Sequence, residues 1–161
     1  MPEAPAAPGA TRGELSFARS PANGETVALL DRAGAVGVRG NYEAALLADR
    51  ETPGDGDEDP RILPDLERAF RWTCETTPFK TRIRLERLPF ARELSVEGRR
   101  LSLFHASPVD QYQYLHEDLS EPALDGLLQE APAELYLFGH FHRAYHRVHD
   151  TAHLVAAPSV G

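Results

Sequence analysis

Tyr136-Leu137-Phe138-Gly139-His140-Phe141-His142 is an apolar run that stops at a glycine and delivers two imidazoles, one residue apart. The run has the length and composition of a buried strand. Gly139 lets the backbone turn tightly just past the strand end. In an extended or turning segment, residues two apart project to one side, so His140 and His142 are expected to face one point. Strand ends are where ligand and metal sites collect in layered α/β folds. An α/β fold with a site at this junction is what the stretch predicts.

The pattern recurs upstream. From Phe90 to Phe104, Leu94 and Val96 alternate with polar residues, Glu97-Gly98 makes a hairpin turn, and Leu101 and Leu103 alternate after it. This strand ends at Phe104-His105-Ala106-Ser107-Pro108, again with a histidine at the junction. Earlier, Ala35-Val36-Gly37-Val38 reads as a short buried strand ending at Arg39-Gly40-Asn41, and Glu43 to Asp49 opens a helix. Further helices are expected over Glu25 to Arg32, from Pro64 with Leu66, Ala69, Phe70 and Thr73 or Cys74 on one face, over Lys80 to Leu88, and over Pro122 to Glu130. Thr52 to Pro60 is an acidic surface loop without the closing glutamate of a calcium loop. Val109 to Ser120 reads as a polar loop and His153-Leu154-Val155 as a last strand.

With 161 residues the chain suits one domain. We expect a disordered Pro/Ala-rich leader at 1–12 and the domain at 13–161. The net charge of −8 argues against nonspecific nucleic-acid binding, which needs a surplus of cations. It still admits a small phosphorylated substrate, because a bound cation reverses the local field. No apolar run is long enough to cross a bilayer, so no membrane contact is expected. The start lacks the basic and apolar regions of a signal peptide, and the single cysteine, Cys74, fits a reducing cytoplasm. The 7 histidines all lie between His105 and His153, and His116, His146, His149 and His153 read as surface or supporting residues.

Asn41, His105, His140 and His142 are therefore metal-competent side chains at strand-to-loop junctions. Neutral imidazole suits Zn²⁺, Mn²⁺, Fe and Ni²⁺, with an amide oxygen as a harder partner. A cation so held polarises a phosphoryl oxygen and lowers the pKa of bound water.

Gly40-Asn41-Tyr42-Glu43, His105-Ala106-Ser107-Pro108, Gly139-His140-Phe141-His142 and Ala157-Pro158-Ser159-Val160-Gly161 resemble, in order and spacing, the later motifs of calcineurin-like metallophosphoesterases. Arg71-Trp72-Thr73 and Arg87-Leu88-Pro89 resemble the bacterial branch of that family. The resemblance implies a four-layer sandwich, two mixed sheets flanked by helices, with a two-metal centre at the strand ends. By the resemblance, Asn41, His105 and His140 ligate one metal and His142 the other. The ions, Mn, Fe, Ni, Zn or Mg, serve attack of water on a phosphate mono- or diester. Tyr42 stands where the family has a histidine that assists the leaving group.

The family's opening Asp-x-His has no counterpart before Asn41. Glu14, in Gly13-Glu14-Leu15-Ser16-Phe17, falls about where the Gly-Asp aspartate belongs and is the candidate replacement ligand. The expectation is a cytoplasmic metal-dependent phosphoesterase, incomplete at the N-terminus and ending early. A sheet edge left open by absent strands is expected to pair with a second copy. The competing expectation is a catalytically weak relative that acts as a binding or regulatory protein.

Overall fold

The computed structural model describes residues 23–54, 61 and 63–158. Glu14, the leader, the acidic stretch 55–60 and Ser159-Val160-Gly161 lie outside the described residues.

Four helices come first: α1 (Asn23–Arg32), α2 (Asn41–Leu47), α3 (Leu63–Thr76) and α4 (Phe79–Glu86). None is long and apolar enough to cross a membrane. Their apolar faces meet in one cluster of Val27, Tyr42, Ala45, Leu46, Phe70 and Leu85. The stripe on α3 behaves as its spacing requires: Phe70 and Thr73 are buried, while Trp72, off the stripe, is 40% exposed. Arg82 closes the end of α3, donating from Nη2 to the Cys74 carbonyl at 2.6 Å, where a cation also complements the helix dipole.

The sheet follows: β1 (Ala91–Val96), β2 (Arg99–Phe104), β3 (Leu135–Phe138), β4 (Tyr145–His149) and β5 (Ala152–Ala156), with α5 (Glu121–Leu128) between β2 and β3. The strand order is β1-β2-β3-β5-β4. The inner strands β2, β3 and β5 are parallel, and the outer strands β1 and β4 pair antiparallel. Glu97 (φ 52°) and Gly98 (φ 79°) make the tight turn between β1 and β2, as two positive φ values in a two-residue hairpin loop require.

Alternation along the strands divides the core in two. Phe104, Tyr136, Phe138, Leu154 and Ala156 face α5 and pack with Leu115, Leu124 and Leu128. Leu101 and Leu103 face the opposite side with Val38, flanked by Leu94, Leu135 and Leu137. The described residues thus form a mixed α/β fold that contains one of the two sheets expected.

Two expectations need correction. β2 does not alternate between core and solvent: Leu101, Ser102, Leu103 and Phe104 are all buried, because both faces of this inner strand are covered. Ala35 to Val38 is extended but forms no strand. Among the described residues its neighbourhood supplies isolated bonds, Arg39 N–H to the Pro89 carbonyl at 2.9 Å and Arg92 Nε–H to the Gly37 carbonyl at 3.0 Å. Val36 is 38% exposed, whereas Val38 lies against the sheet.

His149 also departs from its surface reading. It is buried at the end of β4, with Nδ1 against Glu121 Oε2 and Nε2 2.6 Å from Asp125 Oδ1. Glu121 and Asp125 lie one helical turn apart on α5, so the imidazole fastens helix to sheet. Arg147 supports the join from the same strand, pairing with Glu121 and donating to the Leu119 carbonyl at 2.6 Å. Burial opposes charge on His149, but the Asp125 and Glu121 carboxylates outweigh it and raise its pKa.

Candidate metal centre

Gly40 ends the extended segment before α2. The Glu43 carboxylate reaches back to accept the Gly40 N–H at 3.0 Å, the return arm of a capping box. This aims the first residue of α2, Asn41, at the C-terminal ends of β2 and β3. There the Gly139 N–H donates to the His105 carbonyl at 2.9 Å, so the two strand-end motifs are joined through their backbones.

Three side-chain atoms converge. His105 Nε2 lies 2.8 Å from Asn41 Oδ1 and 3.0 Å from His140 Nδ1. All three residues are buried. Asn41 Nδ2 points to the Pro53 carbonyl at 3.5 Å, which turns the amide oxygen toward the imidazoles. His140 Nε2 faces the Tyr112 carbonyl at 3.3 Å. A carbonyl only accepts, so Nε2 carries the proton and Nδ1 presents its lone pair to the cluster. The Tyr114 ring lies over His140 with centroids 4.4 Å apart and holds its plane.

Burial, with His105 close by, pushes the His140 pKa down to about 4; the Tyr112 carbonyl opposes this only in part. The ring is therefore neutral at pH 7, the form a metal requires. One N–H on His105 Nε2 aims well at only one of its two neighbours, whereas a cation accepts all three donor atoms. Two donors about 2.1 Å from an ion and at right angles sit about 3.0 Å apart. With His105 Nε2 at 2.8 and 3.0 Å from the other two donor atoms, the two nitrogens and the amide oxygen fit a divalent transition-metal ion.

His142, two residues on, differs from His140 in its exposure. His140 (φ 58°) and His142 (φ 57°) both adopt left-handed backbone, so the two-residue alternation expected from the sequence does not apply. His140 turns inward and His142 is exposed. Non-glycine residues in this region cost roughly 1–3 kcal/mol each and gather at functional sites. Tyr42 follows Asn41 on α2 but points the other way. Its ring is buried edge-on to Phe70, with centroids 5.4 Å apart, in the helical cluster.

The 106–116 loop completes the wall. Ser107 is fully buried and ties the loop to itself, its Oγ accepting from the Asp110 N–H at 2.9 Å. Gln111 Nε2 donates to the Arg39 carbonyl at 2.7 Å, linking the loop to the segment that carries Asn41. A cavity of about 470 Å³ is lined by His116, Glu117, Asp118, Phe141, Arg143 and Tyr145; Phe141 follows His140, but none of the three converging residues lines it.

Two predictions follow from this packing. A Cβ on Gly40 would lie 2.9 Å from His105 Nδ1 and Cε1 and 2.8 Å from Glu43 Oε2. Gly40 has φ −89°, which any residue adopts, so the conflict is purely steric. Gly40→Ala is expected to displace the His105 ring and weaken Mn²⁺ binding at least about tenfold, as loss of a ligand-orienting contact does; calorimetric titration measures it.

The second prediction concerns pH. The His140 pKa falls from 6.5 to about 4 on folding, so the unfolded chain binds the proton more tightly. The stability tied to this ring is complete above pH 6.5 and disappears as pH falls toward 4, a loss of about 2–3 kcal/mol. Urea unfolding in EDTA at pH 7, 5.5 and 4 measures that loss, and His140→Ala should flatten it.

No protein-family model matches the sequence, and no curated protein does. Among solved structures the chain is similar to a hypothetical protein from Pyrococcus horikoshii OT3, with a TM-score of 0.66 and 17% identity over 95% of this chain. It is also similar to a metallophosphoesterase from Sphaerobacter thermophilus, with a TM-score of 0.63 and 18% identity over 89% of this chain. In both cases the match covers 62% of the other protein's length. At such identities the likeness is one of fold: this chain has a mixed α/β fold similar to that of a metallophosphoesterase.

Proposed function

We propose that the chain belongs to a metal-dependent phosphoesterase that hydrolyses a phosphate mono- or diester. The convergence of Asn41 Oδ1, His105 Nε2 and His140 Nδ1 within 3.0 Å contacts carries this reading. In it these three residues would hold one divalent ion, and the exposed His142 would serve a second. Glu14 is the candidate that would add a carboxylate ligand. A cation bound there supplies Lewis-acid polarisation of a phosphoryl oxygen and acidifies a water.

The chain's own residues do the rest. The Tyr112 carbonyl keeps the proton on the far nitrogen of His140, and Gly40 leaves room for the His105 ring. Tyr42 packs α2 in place and so steadies Asn41. Arg143, with its guanidinium 5.4 Å from the Phe141 ring centre, lines the cavity and would offer a cation to the phosphoryl oxygens.

Purified chain incubated with bis(4-nitrophenyl) phosphate or 4-nitrophenyl phosphate is expected to release nitrophenolate only with added Mn²⁺ or Zn²⁺, and to stop in EDTA. Release indifferent to metal and chelator would overturn the reading. No release with any divalent ion, in a chain that still binds the ion, would favour the binding protein instead.

A further inference from the structure

We propose that Asp125, His149 and Asp150 form a separate divalent-cation site at the end of the sheet remote from His105 and His140. One ligand atom from each lies within 4.8 Å of the other two. His149 is 7% exposed, while both carboxylates reach solvent, so an ion can enter from outside and keep water on its open positions.

The surroundings of the imidazole are those of a ligand. Glu121 Oε2 faces His149 Nδ1, and Glu121 is itself held by Arg147. A carboxylate on the far ring nitrogen fixes the tautomer and orients the ring, as around metal-bound histidines generally. Nε2 then points at Asp125 Oδ1, 2.6 Å away. On binding, the Nε2 proton passes to solvent, a nitrogen–metal bond forms, and Asp125 turns its oxygen from ring to ion. One imidazole and two carboxylates neutralise a dication and suit Zn²⁺ or Mn²⁺ better than Mg²⁺ or Ca²⁺.

The topology separates this site from the first. On β4, Tyr145 lies beside Ala156, next to the strand end that leads to His140, and His149 lies beside Ala152. Four residues of strand span roughly 13 Å. The site would bind the β4–β5 turn to α5 and serve structure, not hydrolysis. The alternative is a clamp made by a protonated His149 and its two carboxylates alone.

Asp150 separates the two, because it makes none of the clamp's hydrogen bonds. ZnCl₂ titrated into the ¹⁵N-labelled full chain should shift the His149 ring nitrogens and the Asp150 and Thr151 amides saturably. Asp150→Asn should weaken that titration at least tenfold and leave the melting temperature in EDTA unchanged. Unmoved His149 and Asp150 signals at millimolar Zn²⁺ would overturn the proposal, as would an Asp150→Asn chain that titrates like its parent. The His105 and His140 signals report the other centre in the same spectra, so failure here leaves that reading intact.

Discussion

Replacing His140 by alanine is expected to lower Mn²⁺-dependent hydrolysis of bis(4-nitrophenyl) phosphate by more than about a hundredfold. Loss of a residue that merely orients a ligand costs 10–100-fold, and loss of a ligand costs more. His140 contributes Nδ1, 3.0 Å from the His105 Nε2 that also faces Asn41 Oδ1. The same substitution removes a ring whose burial disfavours its charged form, so in EDTA the variant should lose less stability than the parent between pH 7 and pH 5. His146→Ala is the control. His146 stacks on His153 in the β4–β5 hairpin, with ring centroids 5.2 Å apart, and should change the rate by less than twofold. Activity in His140→Ala equal to that of the parent would remove the centre from the mechanism.

The largest effect on stability is expected at Phe104. Its side chain is fully buried, stacked on Phe138 with centroids 5.5 Å apart and tilted against Tyr136 at 6.3 Å. These rings hold the core between the sheet and α5. Phe104→Ala should cost about 3–5 kcal/mol, the usual range for truncating a buried aromatic, and lower the melting temperature by about 10–15 °C for a chain of this size. Because Phe104 immediately precedes His105, metal affinity should fall with it. Phe79→Ala offers the contrast: Phe79 is 77% exposed, and exposed substitutions usually stay within about 0.5 kcal/mol. Calorimetry on the two variants tests both statements.

Local periodicity carried most of the correct expectations. The β1–β2 hairpin, the strand into Gly139, the stripe on α3 and the inward leucines of α5 all follow from contacts between residues near in the chain. What sequence did not reveal depends on distant partners. Nothing in Ala35 to Val38 shows that no strand forms there among the described residues. The parallel pairing of β2 with β3, which buries Leu101 to Phe104 on both faces, is likewise a matter of topology.

At the site, His105 and His140 were recognisable as polar residues at strand ends and Asn41 as the polar residue opening α2, and their meeting is what the ordered motifs imply. The inward turn of His140 and the outward placement of His142 rest on two left-handed residues that no alternation rule anticipates. The acceptor that sets the His140 tautomer is a backbone carbonyl, invisible in side-chain identities. His149 escaped notice for a similar reason: Asp125 and Glu121 stand 24 and 28 residues before it. A helix offering two carboxylates one turn apart was the available signal.

Anomalous diffraction from a crystal soaked in MnCl₂ measures the central claim most directly. A peak about 2.0–2.3 Å from Asn41 Oδ1, His105 Nε2 and His140 Nδ1, the usual span of such bonds, is the predicted result. Saturating Mn²⁺ that leaves these three atoms without a peak, or gives density only elsewhere on the molecule, would contradict it.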